Sequence, residues 1–145
     1  MSDQETAKFL EDGRTLQVAT IGQDGMPHLV AMWYCLLDGE LAFWTYAKSQ
    51  KVLDLRRDPR LSCLVETGTK YEELQGVQVR GRGEIVEDPA VIEQVGELVY
   101  ARYNDGPIND TVRQALAVVG AKRVAVIVHP DTVITWDHRK LGGGY

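Results

Sequence analysis

Cysteine is scarce in this chain: its 145 residues include only Cys35 and Cys63, far apart and in apolar surroundings. They form no Cys-x-x-Cys, which excludes that motif and predicts two reduced core thiols in a cytoplasmic protein. Histidine is nearly as rare, and His28, His129 and His138 have no metal-ligand spacing, so no metal site is predicted. No apolar run approaches the roughly 18 residues of a membrane span, which excludes a transmembrane helix. The start, Met1-Ser-Asp-Gln-Glu5, has neither a basic nor an apolar stretch, so no secretory signal is expected. A net charge of −5 argues against a general nucleic-acid or membrane-surface binder. Catalytic triads and Gly-rich nucleotide loops are missing too. Gly81-Arg-Gly83 is a lone Gly-x-Gly inside a strand pattern, read as a bulge or a close backbone approach. There is no internal repeat, low-complexity linker or second domain. With 44% hydrophobic and 26% charged residues, the chain reads as one ordinary globular domain over 1–145.

Against these absences one segment stands out, Thr45-Tyr-Ala-Lys-Ser-Gln-Lys51. It follows the strand-like run Leu41-Ala-Phe-Trp44 and leads into the helical periodicity of Val52–Leu55. Two lysines, a threonine and a serine thus gather where a strand hands over to a helix. A helix start presents unpaired N–H groups and a partial positive charge, a setting that favours phosphate. Lys48 and Lys51 fall on one face once the helix begins. From Lys48 to Arg60 there are five basic residues (Lys48, Lys51, Arg56, Arg57, Arg60) against two acids (Asp54, Asp58). Such a basic island on an acidic protein suits a small anionic ligand, and an exposed helix face would look the same.

The remaining pattern is mostly strand. Ser2-Asp-Gln-Glu5 fits a capping box for a short helix ending at Gly13. Leu16–Ile21, the long apolar run His28–Leu37 and Glu40–Thr45 predict three antiparallel strands, joined by turns at Gly22–Gly25 and Asp38-Gly39. A helix over 49–57 stops at Asp58-Pro59, followed by a strand at Leu61–Glu66. Gly76–Glu87 alternates, with Val77, Val79 and Gly81 on one side and Gln78, Arg80 and Arg82 on the other. Helices follow, one opening at Asp88-Pro89 and running to about Tyr103, another over Asp110–Val119. Two last strands, Val124–His129 and Thr132–Trp136, are predicted around a His-Pro-Asp turn. The tail ends in three glycines before Tyr145. Strands with tight turns and inserted helices, without βαβ alternation, indicate an antiparallel α+β barrel.

The stretch Ala19-Thr-Ile-Gly-Gln-Asp-Gly-Met-Pro-His28, the following apolar strand, Asp38-Gly39, Trp44-Thr45, Lys48-Ser49-Gln50-Lys51-Val52-Leu53 and Arg56-Arg57-Asp58-Pro59-Arg60 together carry a likeness. They resemble the flavin and deazaflavin oxidoreductases of the pyridoxamine-phosphate-oxidase-like split β-barrel. Gly76-Val-x-Val-x-Gly81 and the ending Trp136-Asp-His-Arg-Lys-Leu-Gly142 are similar to the actinobacterial branch that uses coenzyme F-420. The resemblance implies a homodimer holding its cofactor between barrels. It implies that the strand Leu29–Trp33, with Val30, Ala31, Met32 and Trp33 as cofactor contacts and His28 at its start, runs along the tricyclic ring, with Phe43–Thr45 on the other flank. It gives Thr45, Lys48, Ser49 and Lys51 the cofactor phosphate and sets Trp136–Lys140 near the dimer cleft.

Several residues stay open between two roles. His28 borders the ring or is a half-exposed structural histidine. Trp44, directly before the phosphate segment, is the best candidate for a site wall, though tryptophans more often serve core or interface. Arg80 and Arg82 meet the cofactor's acidic tail or solvent. Trp136 and Lys140 belong to the cleft or to a polar strand exit. No protein nucleophile is needed if a flavin-type ring carries the hydride. Three functions are compatible: hydride transfer between reduced coenzyme F-420 and a small organic acceptor, an FMN-dependent oxidoreductase, and a non-catalytic cofactor-binding module. The apolar run Leu29–Leu37 and three tryptophans also point to a homodimer.

Overall fold

Helix α1 (Asp3–Asp12) starts at Ser2, whose hydroxyl accepts from the Glu5 amide while the Glu5 carboxylate accepts from the Ser2 amide. Strands β1 (Leu16–Ile21) and β2 (Pro27–Met32) then form a hairpin, as do β3 (Cys35–Leu37) and β4 (Glu40–Tyr46). Asp38 and Gly39 both have positive φ, 51° and 85°, the conformation a tight two-residue hairpin turn requires. Helix α2 (Gln50–Arg57) separates β4 from β5 (Arg60–Thr67), and β6 (Gln75–Val86) pairs with β5. Helices α3 (Pro89–Tyr103) and α4 (Asp110–Gly120) precede the last strand, β7 (Arg123–Asp137). The structure is a computed structural model and describes residues 1–142.

All seven strands belong to one antiparallel sheet in the order β2-β1-β5-β6-β7-β4-β3. Consecutive strands β2 and β3 therefore stand at opposite edges, with only Trp33 and Tyr34 between them. Three Cα steps reach at most about 11 Å, so the sheet must curl until its edges face one another. That curling makes the split barrel. The chain breaks the single strand expected over 28–37 into two, and nothing in its residue types announces it. The sign is a phase slip: β2 alternates exposed and half-buried positions, then Tyr34 and Cys35 are buried in succession. Trp33 stacks on Tyr103 at 4.4 Å, and the Tyr34 hydroxyl donates to the Leu10 carbonyl at 2.6 Å. Arg102 lies over the Tyr34 ring at 4.3 Å and donates to the carbonyls of Leu10 and Gly13.

The second departure is β7. The His129-Pro130-Asp131 segment is not a turn between two strands but a bulge within one. The ladder to β6 steps from Arg80↔Thr132 to Gly81↔Pro130, leaving Asp131 as the extra residue. A bulge is where a sheet accepts proline, which has no N–H to give the ladder. Gly81 meets it on the other strand, where a Cβ would collide with the His129 carbonyl oxygen.

Two layers of apolar packing result. Leu16, Val18, Phe43, Leu55, Leu61, Val65, Val77 and Val126 fill the barrel. Ala42, Trp44 and Ala125, on the outside of β4 and β7, pack beneath Ile92, Val95 and Val99 of α3. Among the described residues no helix is long and apolar enough to cross a membrane.

Candidate cofactor site

The alternation of β4 sets the site. Leu41 and Phe43 enter the barrel core, and Thr45, next in phase, is buried at the barrel's end beside α2. Ser49 is the N-cap of α2 with extended backbone, yet its side chain makes no capping bond. Lys51, in the first helical turn, is only 9% exposed, and its ammonium donates to Thr45 Oγ1 at 3.0 Å. Because Lys51 can only donate, Thr45 Oγ1 accepts there, and its own proton remains for Ser49 Oγ at 3.5 Å or for another acceptor. Burial, with the nearby positive charge of Arg123, pulls the Lys51 pKa below its usual value. Two hydroxyls, a buried ammonium and the first amides of a helix converge here. An anion of phosphate size fits that donor set.

Helix α2 is held under the barrel by Asp54, which is wholly buried. Its carboxylate accepts from Thr20 Oγ1 of β1 and from Gln50 Nε2, each at 2.8 Å, and from Arg57 at 3.1 Å. Burial alone would raise its pKa, but the hydrogen bonds from Gln50, Thr20 and Arg57 outweigh it and keep the group below the ordinary carboxylate range. His28 is the partner of Thr20 across the β1–β2 ladder. It lines an open cleft of about 680 Å³ together with Met26, Gln50 and Asp54. His28 thus faces the first turn of α2 across this cleft.

The other residues singled out from sequence are dispersed. Lys48 is exposed in the turn before α2. Val30 and Met32 lie half-buried against the barrel core, while Ala31 is exposed on β2's outer side and Trp33 is exposed just past the strand's end. Trp44 does not wall the cradle: one residue out of phase with Thr45, it packs under α3, where a Cβ on Gly96 would come within 2.6 Å of its ring. Arg80 is exposed on β6 between Ser62 and Thr132. Trp136 covers Gly76, and Lys140 bonds the Glu5 carboxylate at 2.6 Å. The basic island also contracts. Arg56 pairs with Glu87, Arg57 with Asp54 and Arg60 with Asp58, so among the described residues Lys48 and Lys51 are its cations without an acid partner. The sequence reading missed Asp54 and Gln50. The spacing of Gln50, Asp54 and Arg57 marks them as helix neighbours, though nothing in it shows that the acid is buried.

The chain matches the family model described as pyridoxamine 5'-phosphate oxidase over residues 2–137. A conserved hypothetical protein from Mycobacterium tuberculosis is 47% identical, with a TM-score of 0.94 over all of this chain and 90% of that one. A solved F-420 reductase is 29% identical, with a TM-score of 0.68 over 88% of this chain and 94% of its own. The heme storage protein HutZ from Vibrio cholerae shares the fold at 14% identity, with a TM-score of 0.71 over 91% of this chain and 92% of that one. Among curated proteins nothing matches. With nearly its full length matched by the family and its strands in one curled antiparallel sheet, the chain belongs to the pyridoxamine 5'-phosphate oxidase-like split-barrel family.

Proposed function

We propose that the protein is an oxidoreductase that binds coenzyme F-420 at the α2 cradle and passes a hydride between the reduced coenzyme and a small organic acceptor. The observation that carries this is the buried Lys51 ammonium, set against Thr45 and Ser49 at the uncapped start of α2. A buried cation with no acid partner is costly, and a phosphate diester would neutralise it while taking up the free Ser49 hydroxyl and helix amides. When bound, the deazaflavin supplies the hydride chemistry. The protein's part is to hold and orient. Lys51, Ser49 and Thr45 fix the phosphate, Asp54 fixes the helix that carries them, and His28 borders the cleft beyond Gln50. The likeness to an F-420 reductase favours the deazaflavin over FMN. Two free, buried thiols support a reducing, cytoplasmic setting.

Two copies are proposed to form the working unit. The outer face of the sheet leaves Leu29 65% and Ile134 42% exposed, and Trp33, just past β2, is 58% exposed. The ladder registers Ala31–Gln17–Leu64–Gln78–Ile134 place further apolar groups along the same face. A second copy would cover this row, and Arg80, Trp136 and Lys140 would reach a cofactor only from such a partner.

Fluorescence titration with coenzyme F-420 and with FMN tests the reading, alongside sedimentation. The expected result is tighter binding of coenzyme F-420 and a species of about twice 16.2 kDa. Tighter binding of FMN would make this an FMN enzyme. Binding of coenzyme F-420 without turnover of any acceptor would make it a cofactor-holding module. A 16.2 kDa species would remove the shared site.

A further inference from the structure

Three strands meet in one contact where the β4–β7 ladder ends. Ala42 stands opposite Ile127, and two residues on in that register Glu40 comes level with His129. On the other side of β7, β6 sets Arg82 opposite His129 and Glu84 opposite Ile127. Glu40, His129 and Glu84 share the face that α3 covers further along, at Ala42, Ala125 and Val86. Across that face the imidazole bridges two carboxylates. Nε2 is 2.6 Å from Glu84 Oε2, and Nδ1 is 2.7 Å from Glu40 Oε2. Glu40 Oε2 is buried, and among the described residues no hydrogen-bond donor is aligned on it, so the His129 ring is what faces it. A neutral imidazole carries one N–H and one lone pair. In either tautomer it would turn the lone pair toward a carboxylate oxygen at one of the two contacts. With both carboxylates ionised, only the imidazolium satisfies both.

No other group nearby can take its place. Arg82 lies across the ladder and opposes the ring's charge, Arg80 is two residues along opposite Thr132, and Arg60, beyond Arg82, is bonded to Asp58 at 2.7 Å. Asp38 of the hairpin turn and Asp131 of the bulge are exposed. Helices α3 and α4 pack on the first half of β7, where Glu97 and Asp110 face Arg113, while Glu87 and Glu93 line the cleft at Arg123. The bond to Glu84, then the charges of Glu40 and Glu84, outweigh burial and raise the His129 pKa above its usual 6.5.

We propose that Glu40, His129 and Glu84 form a proton-operated clamp, which fastens the β3–β4 hairpin to β6 and β7 while His129 is protonated and loosens when the proton leaves. The clamp needs neither cofactor nor second copy, so it stands apart from the F-420 reading. It holds one end of β4, the strand whose other end carries Thr45 of the cradle. A raised folded pKa gives a contribution to stability that is full below the usual 6.5 and is lost as pH rises through the higher folded value.

NMR titration of the His129 ring, with amide hydrogen exchange at pH 6 and pH 9, tests this in wild type, His129→Gln and Glu84→Gln. The wild-type ring should titrate above 6.5, and its midpoint should fall in Glu84→Gln. Protection of the amides of Leu41, Ala42 and Ile127 should be about 2- to 10-fold lower at pH 9 than at pH 6, corrected for intrinsic rates and referred to Val18 of β1. In His129→Gln, where every other titration remains, that difference should vanish. A wild-type midpoint at or below 6.5, a midpoint unmoved in Glu84→Gln, or a pH effect that persists in His129→Gln would each overturn the clamp. Should His129→Gln fail to fold, the ring titrations of wild type and Glu84→Gln decide alone.

Discussion

Replacing Lys51 with alanine is expected to weaken cofactor binding by roughly 10- to 150-fold, because a hydrogen bond between charged groups contributes about 1.5–3 kcal/mol. Lys51 is the buried cation of the cradle, and no other residue supplies its contact with Thr45. The same residue makes a second expectation possible. Burial and Arg123 lower its pKa, so the unliganded fold disfavours the charged form that the unfolded chain carries freely. Between the lowered folded value and the ordinary 10.5, the unfolded chain binds more protons, so the Lys51 contribution to stability improves as pH rises through that window. Lys51→Met, which keeps the bulk and removes the charge, should therefore lose binding while melting no earlier than wild type without ligand. Titration and melting of both variants check this. Undiminished affinity in Lys51→Ala would move the phosphate elsewhere.

The largest loss of stability is expected from Asp54→Ala. The substitution strands the buried Thr20 hydroxyl and removes the shared acceptor of the more exposed Gln50 amide and Arg57 guanidinium. Leaving the buried Thr20 hydroxyl without its acceptor, and losing the hydrogen bonds of a buried carboxylate to two more exposed partners, costs about 2–4 kcal/mol. At about 2–4 °C per kcal/mol for a domain of this size, the melting temperature should fall by roughly 4–16 °C. Since hydrogen bonds hold the Asp54 pKa below its usual 3.8, its contribution is fully present above that value. It is lost as pH falls through the lower folded value. Wild type and variant should therefore converge in stability in strong acid, which denaturation curves across pH will show. A variant as stable as wild type at neutral pH would mean that Asp54 does not anchor α2.

How far the sequence reached depends on whether a feature is local. The capping box at Ser2, the hairpin turns at Gly22–Gly25 and Asp38-Gly39, and the alternation of Val77 and Val79 are carried by neighbouring residues, and all appear in the fold. The gathering of Thr45, Ser49 and Lys51 is local as well, since they span one strand-to-helix junction. What depends on distant partners was not. Trp33 and Tyr34 look like the middle of an apolar strand until Tyr103, Arg102 and Leu10 arrive from elsewhere to hold the crossing. Pro130 reads as a turn unless Gly81 is known to lie opposite. The arginines of the basic island seemed free because Glu87, one of the acids that pair with them, lies well along the chain.

A crystal structure of the protein with coenzyme F-420 will show whether the start of α2 holds the cofactor's phosphate. The phosphate oxygens should lie within hydrogen-bonding reach of Ser49 Oγ, Lys51 Nζ and the first amides of α2. A phosphate bound anywhere else, with Lys51 still turned to Thr45 alone, would contradict that placement.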